Sequence, residues 1–289
     1  MILTMKLSHF LLAASSLFSG YSFADSISLP IWKEEAEALG YELPKAIGFN
    51  LSYMGMQQGI NVDSIALNGL KMDWLDLDLD AQPGKQITNV LTARADVWLF
   101  PFLNIYALIG KLDGFSETDV NANIGIKRKN GKVIPILERK IENFRLDLDG
   151  YTTGVGFVLA GGYDQWFGLV DASYTQSTLT VIDGSINAIV ISPRVGFDFN
   201  KNGIPVRIWA GAMYQNVEQE LSGSLVDLGL PPILANLAPN GEFEVKQHLA
   251  TNWNPIAGFQ YQVNPSWYLL GEVGFGERQS FFISLDRRF

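Results

Sequence analysis

Histidine is the side chain that most often acts as a general base in enzymes, and this chain contains two. His9 lies in an N-terminal stretch with the features of a secretory signal, so His248 would be the single histidine of the mature protein. A serine nucleophile needs such a base within hydrogen-bond reach. Thr251 is close to His248 in the sequence, but no serine is. We therefore interpret His248 as a surface residue and expect no enzymatic activity, with a His248-dependent lipid hydrolase as the alternative.

Carboxylates recur at alternate positions in two segments, which suggests a second kind of chemistry. Alternate residues of a strand share a face, and hard cations such as Ca²⁺ bind several converging carboxylate oxygens. If the two segments paired, they could hold a divalent ion or engage the ions that bridge lipopolysaccharide. Their spacing matches no calcium-loop motif, so a solvated acidic surface is the preferred interpretation and no cofactor is expected. The weak candidates for metal ligands are Asp76, Asp78, Asp80, Asp147 and Asp149.

A third set contains both acidic and basic residues. They lie in segments where apolar side chains occupy every second position and polar side chains lie between them. If these segments are barrel strands, the charged faces point inward, where unpaired charge is costly and salt bridges are expected. A packed, salt-bridged interior is the preferred interpretation, and a narrow pore or small-ligand site is the functional one. The set comprises Arg94, Asp96, Asp171, Arg194, Asp198, Arg207, Glu272, Asp286 and Arg288.

Composition limits the class of protein. The 289 residues are 47% hydrophobic and 18% charged, and there is no cysteine, which excludes disulfides, zinc thiolates and cysteine nucleophiles. The net charge of −9 argues against a nucleic-acid partner. Beyond the N-terminus, the chain lacks the apolar run of about 18 residues that a membrane helix requires. These features favour a β-rich protein.

The chain divides into three parts. Residues 1–24 predict a signal peptide, with Lys6, an apolar core and a small-x-small cleavage pattern before Asp25. Residues 25–44 predict a periplasmic segment with a short helix between Ser28 and Gly40, placed at the mouth of the barrel. Residues 45–289 predict the barrel itself.

Short turns between alternating segments of about ten residues predict the strand number, because a tilted strand of that length spans a bilayer. Four turns with both termini on one side imply an all-β, transmembrane, antiparallel up-and-down barrel of about ten strands. If Asn68-Gly69 is a fifth turn, the number becomes twelve. Aromatic residues beside the turns predict an interfacial girdle; they are Trp98, Phe100, Trp166, Phe167, Tyr261, Trp267 and Tyr268. The strands are expected at 45–56, 88–99, 103–116, 151–163, 166–179, 186–199, 205–216, 250–261, 267–276 and 280–289.

Three long segments are expected outside the membrane, at 57–85, 119–150 and 221–244. The second contains Asn130-Gly131, a pair typical of a hairpin turn. The third carries Pro231-Pro232 and is interpreted as a mobile lid.

The last ten residues alternate between apolar and polar side chains and end on an aromatic. This ending resembles the terminal strand of Gram-negative outer-membrane β-barrels, which the assembly machinery recognises. The resemblance implies an outer-membrane location, with membrane lipid, lipopolysaccharide and the barrel-assembly machinery as partners. The residues that carry the assembly signal are Phe281, Ile283, Leu285 and Phe289.

Segments 95–106, 211–215 and 274–278 carry a further resemblance that covers nearly the whole mature chain. They are similar to a group of bacterial outer-membrane barrels without an assigned biochemical activity. Three functions therefore stay open: a non-enzymatic barrel with a narrow pore or binding role, a plugged structural or adhesion barrel that acts through acidic loops, and a lipid-modifying enzyme.

Overall fold

The computed structural model describes residues 29–68, 74–128, 131–224 and 241–289, so the predicted signal peptide lies outside the described residues. No helix in these ranges is long and apolar enough to cross a bilayer. Helix α1 spans Lys33–Ala38, and a 3₁₀ turn spans Asn200–Asn202. The described strands are β1 (Ile47–Asn68), β2 (Leu75–Ala81), β3 (Gly84–Phe100), β4 (Leu103–Lys127), β5 (Val133–Asp147), β6 (Gly150–Tyr163), β7 (Trp166–Leu179), β8 (Asp183–Asp198), β9 (Val206–Ser224), β10 (Glu242–Leu249), β11 (Trp253–Asn264), β12 (Trp267–Gly274) and β13 (Gln279–Arg288).

Ten of these strands form a closed antiparallel ring. Its order is β1–β3–β4–β6–β7–β8–β9–β11–β12–β13, and β13 then pairs with β1. The junction runs from Gly48 opposite Arg288 to Gln57 opposite Gln279. Beyond it, the Phe289 N–H donates to the Ile47 carbonyl at 2.9 Å. The prediction of a barrel of about ten strands is confirmed, and each expected segment overlaps one ring strand.

The two ends of the barrel differ. At one end, here the turn end, short connections join β3 to β4, β6 to β7, β8 to β9 and β11 to β12. At the other end, the loop end, β1, β4 and β9 extend far beyond the ring. The ring strands therefore have very unequal lengths, from 8 residues in β12 to 25 in β4.

Strands β2, β5 and β10 lie outside the ring and extend it at the loop end. β2 and β5 pair with opposite sides of the upper half of β4, in line with β3 and β6. β10 fills the gap above the shorter β11–β13 strands, between β1 and β9. Residues 60–68, which the twelve-strand alternative assigns to a separate strand, prolong β1 and pair with β10. In the predicted lid, residues 221–224 belong to β9 and 242–244 to β10, while 225–240 lie outside the described residues.

Side-chain alternation separates an apolar outer surface from a polar interior. On β1, Phe49, Leu51 and Tyr53 are 49%, 50% and 41% exposed, whereas Ser52 between them is 7% exposed. The same pattern recurs in β13, where Phe281, Ile283 and Leu285 point outward and Ser284 is buried. A closed barrel satisfies its backbone hydrogen bonds internally, so an apolar exterior can lie in hydrocarbon.

The predicted aromatic girdle is only partly correct. Trp166 is 61% exposed and packs edge-on against Phe197, and Tyr261 is 41% exposed. By contrast, Tyr268 is buried, and Trp98 and Phe167 line the barrel interior. These three residues were assigned to the membrane interface because they lie beside a turn. The two-residue period of a strand decides whether a side chain points outward or inward, and here it points them inward.

The N-terminal segment crosses the turn end. The Ile31 N–H donates to the Leu99 carbonyl at 2.8 Å, and the Trp32 ring lies 4.9 Å from that of Phe100. On the far side of the mouth, the Tyr41 hydroxyl donates to the Gly162 carbonyl at 3.2 Å. The short helix expected between residues 28 and 40 corresponds to α1, although Ser28 lies outside the described residues. We call residues 30–44 the cap.

Candidate binding cavity inside the barrel

The barrel encloses a cavity of about 1350 Å³ that begins at the cap and ends below the loop end. All nine interior charged residues predicted from the sequence line it. They sit on inward-facing positions of β3, β7, β8, β9, β12 and β13, and together they form a charged belt in the half nearest the turn end.

One part of the charged belt is centred on Asp96, whose side chain is 1% exposed. Arg288 Nη1 lies 2.8 Å from Asp96 Oδ1, and Arg288 Nε lies 3.2 Å from Asp286 Oδ2. Asn104 Nδ2 donates to the same Asp96 oxygen at 2.6 Å. These contacts join β3, β4 and β13 across the closing junction of the ring.

Arg94 links this group to β7, three strands further around the ring. Its guanidinium lies 3.8 Å from the centre of the Tyr106 ring and 3.9 Å from both Asp96 and Asp171. The Tyr106 hydroxyl donates to Asp171 Oδ1 at 2.5 Å. The cation is therefore held by two carboxylates and an aromatic face.

Two further pairs complete the belt. Arg194 donates to both Glu272 oxygens, at 2.7 and 3.0 Å, and the Trp209 indole N–H donates to the same carboxylate at 2.7 Å. Arg207 donates to Asp198 at 2.7 Å near the turn end. Each predicted interior charge thus has a partner of opposite sign within 4.0 Å.

Above the charged belt the cavity wall is mostly apolar. This zone brings flexible methionines together with branched and aromatic side chains, so it offers hydrophobic contact without a fixed shape. Its residues include Met54, Met56, Val90, Leu108, Val190, Met213, Leu270 and Phe282.

Glutamines form the roof of the cavity. Gln247 donates to Gln219 at 2.9 Å, and Gln219 donates to Gln86 at 2.8 Å. These residues come from β10, β9 and β3, and all are at most 3% exposed. Gln247 and Gln219 face each other on the paired strands β10 and β9. Because β9 and β3 are not neighbours, the Gln219–Gln86 hydrogen bond crosses the lumen.

An apolar cluster closes the loop end, and we call it the seal. It joins ring strands to the extensions β5 and β10, and Phe144 and Phe243 meet edge-on with centroids 6.5 Å apart. The residues of the seal are Ile60, Leu112, Leu146, Leu148, Leu179, Ile186, Val217, Leu221, Phe243, Val245 and Leu249. The cap lies across the turn end of the cavity, and the seal lies at its loop end.

The other predicted candidates lie on the loop-end rim. His248 Nδ1 lies 2.8 Å from Asp63, and both side chains are about half exposed. The acidic residues of β2 and the pair Asp147 and Asp149 lie on opposite sides of β4, so the two segments do not pair with each other. Within the described residues, no three His, Cys, Asp or Glu side chains are grouped to hold a metal ion.

Sequence reasoning missed the glutamine roof and Arg278. The prediction covered only charged residues on the inward faces of the strands. Four buried glutamines occupy inward positions of the same alternation: Gln58, Gln86, Gln219 and Gln247. Arg278 lies in a turn, where a two-residue period says nothing about burial. A search for any polar residue at inward positions would have found the glutamines but not Arg278.

A closed ten-stranded barrel with an apolar exterior and a charged interior is a transmembrane β-barrel of the kind found in Gram-negative outer membranes. No family model matches the chain, and no curated protein matches it. Among solved structures it is similar to the outer membrane protein OprG from Pseudomonas aeruginosa, with 10% identity, a TM-score of 0.40 and coverage of 86% of this chain and 99% of that one.

Two further solved structures are similar at the same level. For an outer membrane channel from Pseudomonas putida F1, the identity is 9%, the TM-score 0.38, and the coverage 86% of this chain and 97% of that one. For the Ralstonia pickettii toluene transporter TbuX, the identity is 11%, the TM-score 0.31, and the coverage 86% of this chain and 90% of that one. A shared function does not follow from similarity this low.

Proposed function

We propose that the chain is a non-enzymatic outer-membrane barrel whose interior binds and passes small molecules. The observation that supports this function is the cavity of about 1350 Å³ inside the barrel. Ligand pockets typically occupy about 300–1,000 Å³, so a small molecule and some water fit together. The cavity also combines an apolar zone with polar ends, which is typical of ligand sites.

Passage would be gated. The cap blocks the turn end through a few aromatic and backbone contacts, whereas the seal blocks the loop end by apolar packing. Neither block is covalent, and both are built from elements outside the ring or at its margins. Opening either end therefore leaves the hydrogen-bonded ring intact.

Single-channel recording in planar bilayers tests this proposal. We expect long closed periods interrupted by discrete openings, and a larger open fraction when the cap is loosened by Trp32→Ala. The matched control is Leu39→Ala, which removes a 78% exposed side chain from the same segment. Silence of both the wild type and the Trp32→Ala variant over the whole voltage range would contradict a channel.

The second candidate is a plugged structural or adhesion barrel that acts through its loop-end rim. The complete ion pairing of the charged belt and the glutamine roof favour it, because both rigidify the barrel. An Asp76→Asn, Asp78→Asn, Asp80→Asn variant tests this role. Unchanged envelope integrity and cell adhesion would count against it.

The partners of the barrel are proposed on the same physical basis. Lipid and lipopolysaccharide would cover the apolar exterior, and the assembly machinery would engage the outward face of β13. Phe281, Ile283, Leu285 and Phe289 are 39–56% exposed on that face. Slower membrane insertion of Phe289→Ala, with unchanged insertion of Val263→Ala, is the expected result.

A further inference from the structure

Arg278 is a buried cation without a buried anion. It lies in the loop-end turn between β12 and β13, and its side chain is among the most completely buried of the described residues, at 2% exposure. Its Nε donates to Gln58 Oε1 at 3.1 Å, and its Nη2 donates to the Thr251 carbonyl at 2.8 Å. Both acceptors are neutral.

The third guanidinium nitrogen of Arg278 has no partner in the described part of the chain. Nη1 of Arg278 is buried and forms no hydrogen bond with the described residues, and no carboxylate of these residues lies within 4.0 Å of the guanidinium. The interior arginines Arg94, Arg194, Arg207 and Arg288 all have acidic partners. An uncompensated buried charge is strongly destabilising, so Arg278 is an exception that fold stability does not explain.

Burial also acts on the charge itself. Desolvation lowers the pKa of the Arg278 guanidinium to about 10. At neutral pH the group therefore stays protonated, although its surroundings oppose the charge. A desolvated cation with a free donor attracts an anion far more strongly than a hydrated one does.

Arg278 lies directly behind the cavity wall. Its partner Gln58 lines the cavity, and so does Ser280, two residues further along the chain. The apolar zone of the cavity, with Met54, Met56 and Phe282, extends from this point toward the turn end. Gln58 therefore stands between the guanidinium and the upper end of that apolar zone.

We infer that Arg278, screened by Gln58, is the binding site for the anionic group of a small organic acid whose apolar body occupies the methionine-lined zone below. This inference rests on the proposed function, since it names the ligand class of the same cavity. The anion supplies the counter-charge that Arg278 lacks, and it replaces Gln58 as acceptor for the guanidinium.

The variant Gln58→Glu provides the sharpest test, because it supplies an internal carboxylate to Arg278 and removes no interior group. We expect it to fold at least as well as the wild type. The probes are hexanoate and its neutral analogue hexanamide, titrated calorimetrically into the barrel in lipid nanodiscs. Wild-type protein should bind hexanoate at least roughly tenfold more tightly than hexanamide, and Gln58→Glu should abolish that preference.

Two controls separate charge at Arg278 from general effects. Gln262→Glu adds the same charge at the turn end, and it should leave the hexanoate preference unchanged. Arg278→Gln should lose the preference while hexanamide binding stays as in the wild type. If Arg278→Gln fails to fold, Gln58→Glu still decides the question.

The outcomes distinguish this inference from the proposed function. Equal binding of hexanoate and hexanamide to the wild type, or a preference that survives Gln58→Glu, would overturn the anion site and leave small-molecule binding in place. If neither probe binds and no conductance is seen, both proposals fail.

Discussion

Every charged residue of the belt has a partner of opposite sign, so the loss of one side chain leaves another charge unpaired. Glu272 receives three hydrogen bonds, two from Arg194 and one from Trp209. Its side chain is 5% exposed. Truncating one member of such a group leaves the other charged and unsatisfied.

Glu272→Gln should therefore destabilise the barrel by about 3 kcal/mol, because Arg194 loses its counter-charge inside the wall. Urea unfolding of the refolded protein in lipid vesicles measures the loss. Replacing both partners, with Arg194→Met and Glu272→Leu, should cost less than the single change. A single variant as stable as the wild type would show that the pair contributes no net stability.

Glycines on inner faces leave room for bulky neighbours. A Cβ atom at Gly258 would lie 2.6 Å from the Trp209 indole, whereas one at Gly161 would meet nothing within 4 Å. We expect Gly258→Ala to cost about 1–3 kcal/mol through overpacking. Gly161→Ala should be neutral. Tryptophan fluorescence together with urea midpoints reports both changes, and equal midpoints for the two variants would contradict the close packing.

The loop-end rim carries the Asp149 carboxyl, whose titration affects stability. A hydrogen bond with Asp113, partial burial and repulsion by Asp113 and Asp147 raise the pKa of the Asp149 carboxyl above its ordinary value. The folded state then holds this proton more tightly than the unfolded state does. The contribution of protonated Asp149 to the free energy of unfolding is present at low pH and is lost as the pH rises through the raised pKa.

Asp149→Asn should accordingly raise the urea midpoint more in mildly alkaline than in mildly acidic buffer. The control Asp78→Asn removes an exposed carboxylate on β2 and should shift neither midpoint. If Asp149→Asn raised the urea midpoint by the same amount at both pH values, titration of Asp149 would be excluded as the cause.

The elements show which parts of the fold a sequence can predict. The two-residue period and the turn residues located all ten ring strands, because each must expose one face to lipid and hide the other. The nine charged residues follow from the same parity, and they do line the cavity. The extensions β2, β5 and β10 were not assigned as separate strands, since outside the membrane no such constraint applies.

What the sequence could not supply is the set of contacts made across the lumen. The glutamine roof joins strands that are not neighbours, and the seal joins β5 to β10 through Phe144 and Phe243. Such contacts depend on the curvature of the closed ring and on the tilt of the extensions. Neither quantity is encoded in a local pattern.

The cap is the element whose closure of the barrel mouth is most readily tested. The chain has no cysteine, so Thr175→Cys places a single thiol on the cavity wall. We expect a bulky maleimide to label it faster when Trp32→Ala is added, because the ring contacts with Phe100 and Phe102 are lost. Leu39→Ala in the same background should label as slowly as the parent, and an equal acceleration by both changes would show that the cap does not close the mouth.

On the scale of the whole molecule, the barrel is one continuous hydrogen-bonded ring. Detergent therefore cannot peel off an edge strand, because the ring has none. We expect the refolded protein to give a β-type circular dichroism spectrum and to migrate faster on a gel unheated than boiled. A helical spectrum, or identical migration in both samples, would contradict the closed ring.

The pairing of β13 with β1 also sets the order of events during biogenesis. β1 is the first and β13 the last strand of the ring in chain order, so this seam cannot form until residues 279–288 have been synthesised. Until then the sheet has two unpaired strand edges, which are prone to aggregation. A product that stops before Gln279 lacks β13 and cannot complete the ring, which makes export of the chain as far as Arg288 a precondition of insertion.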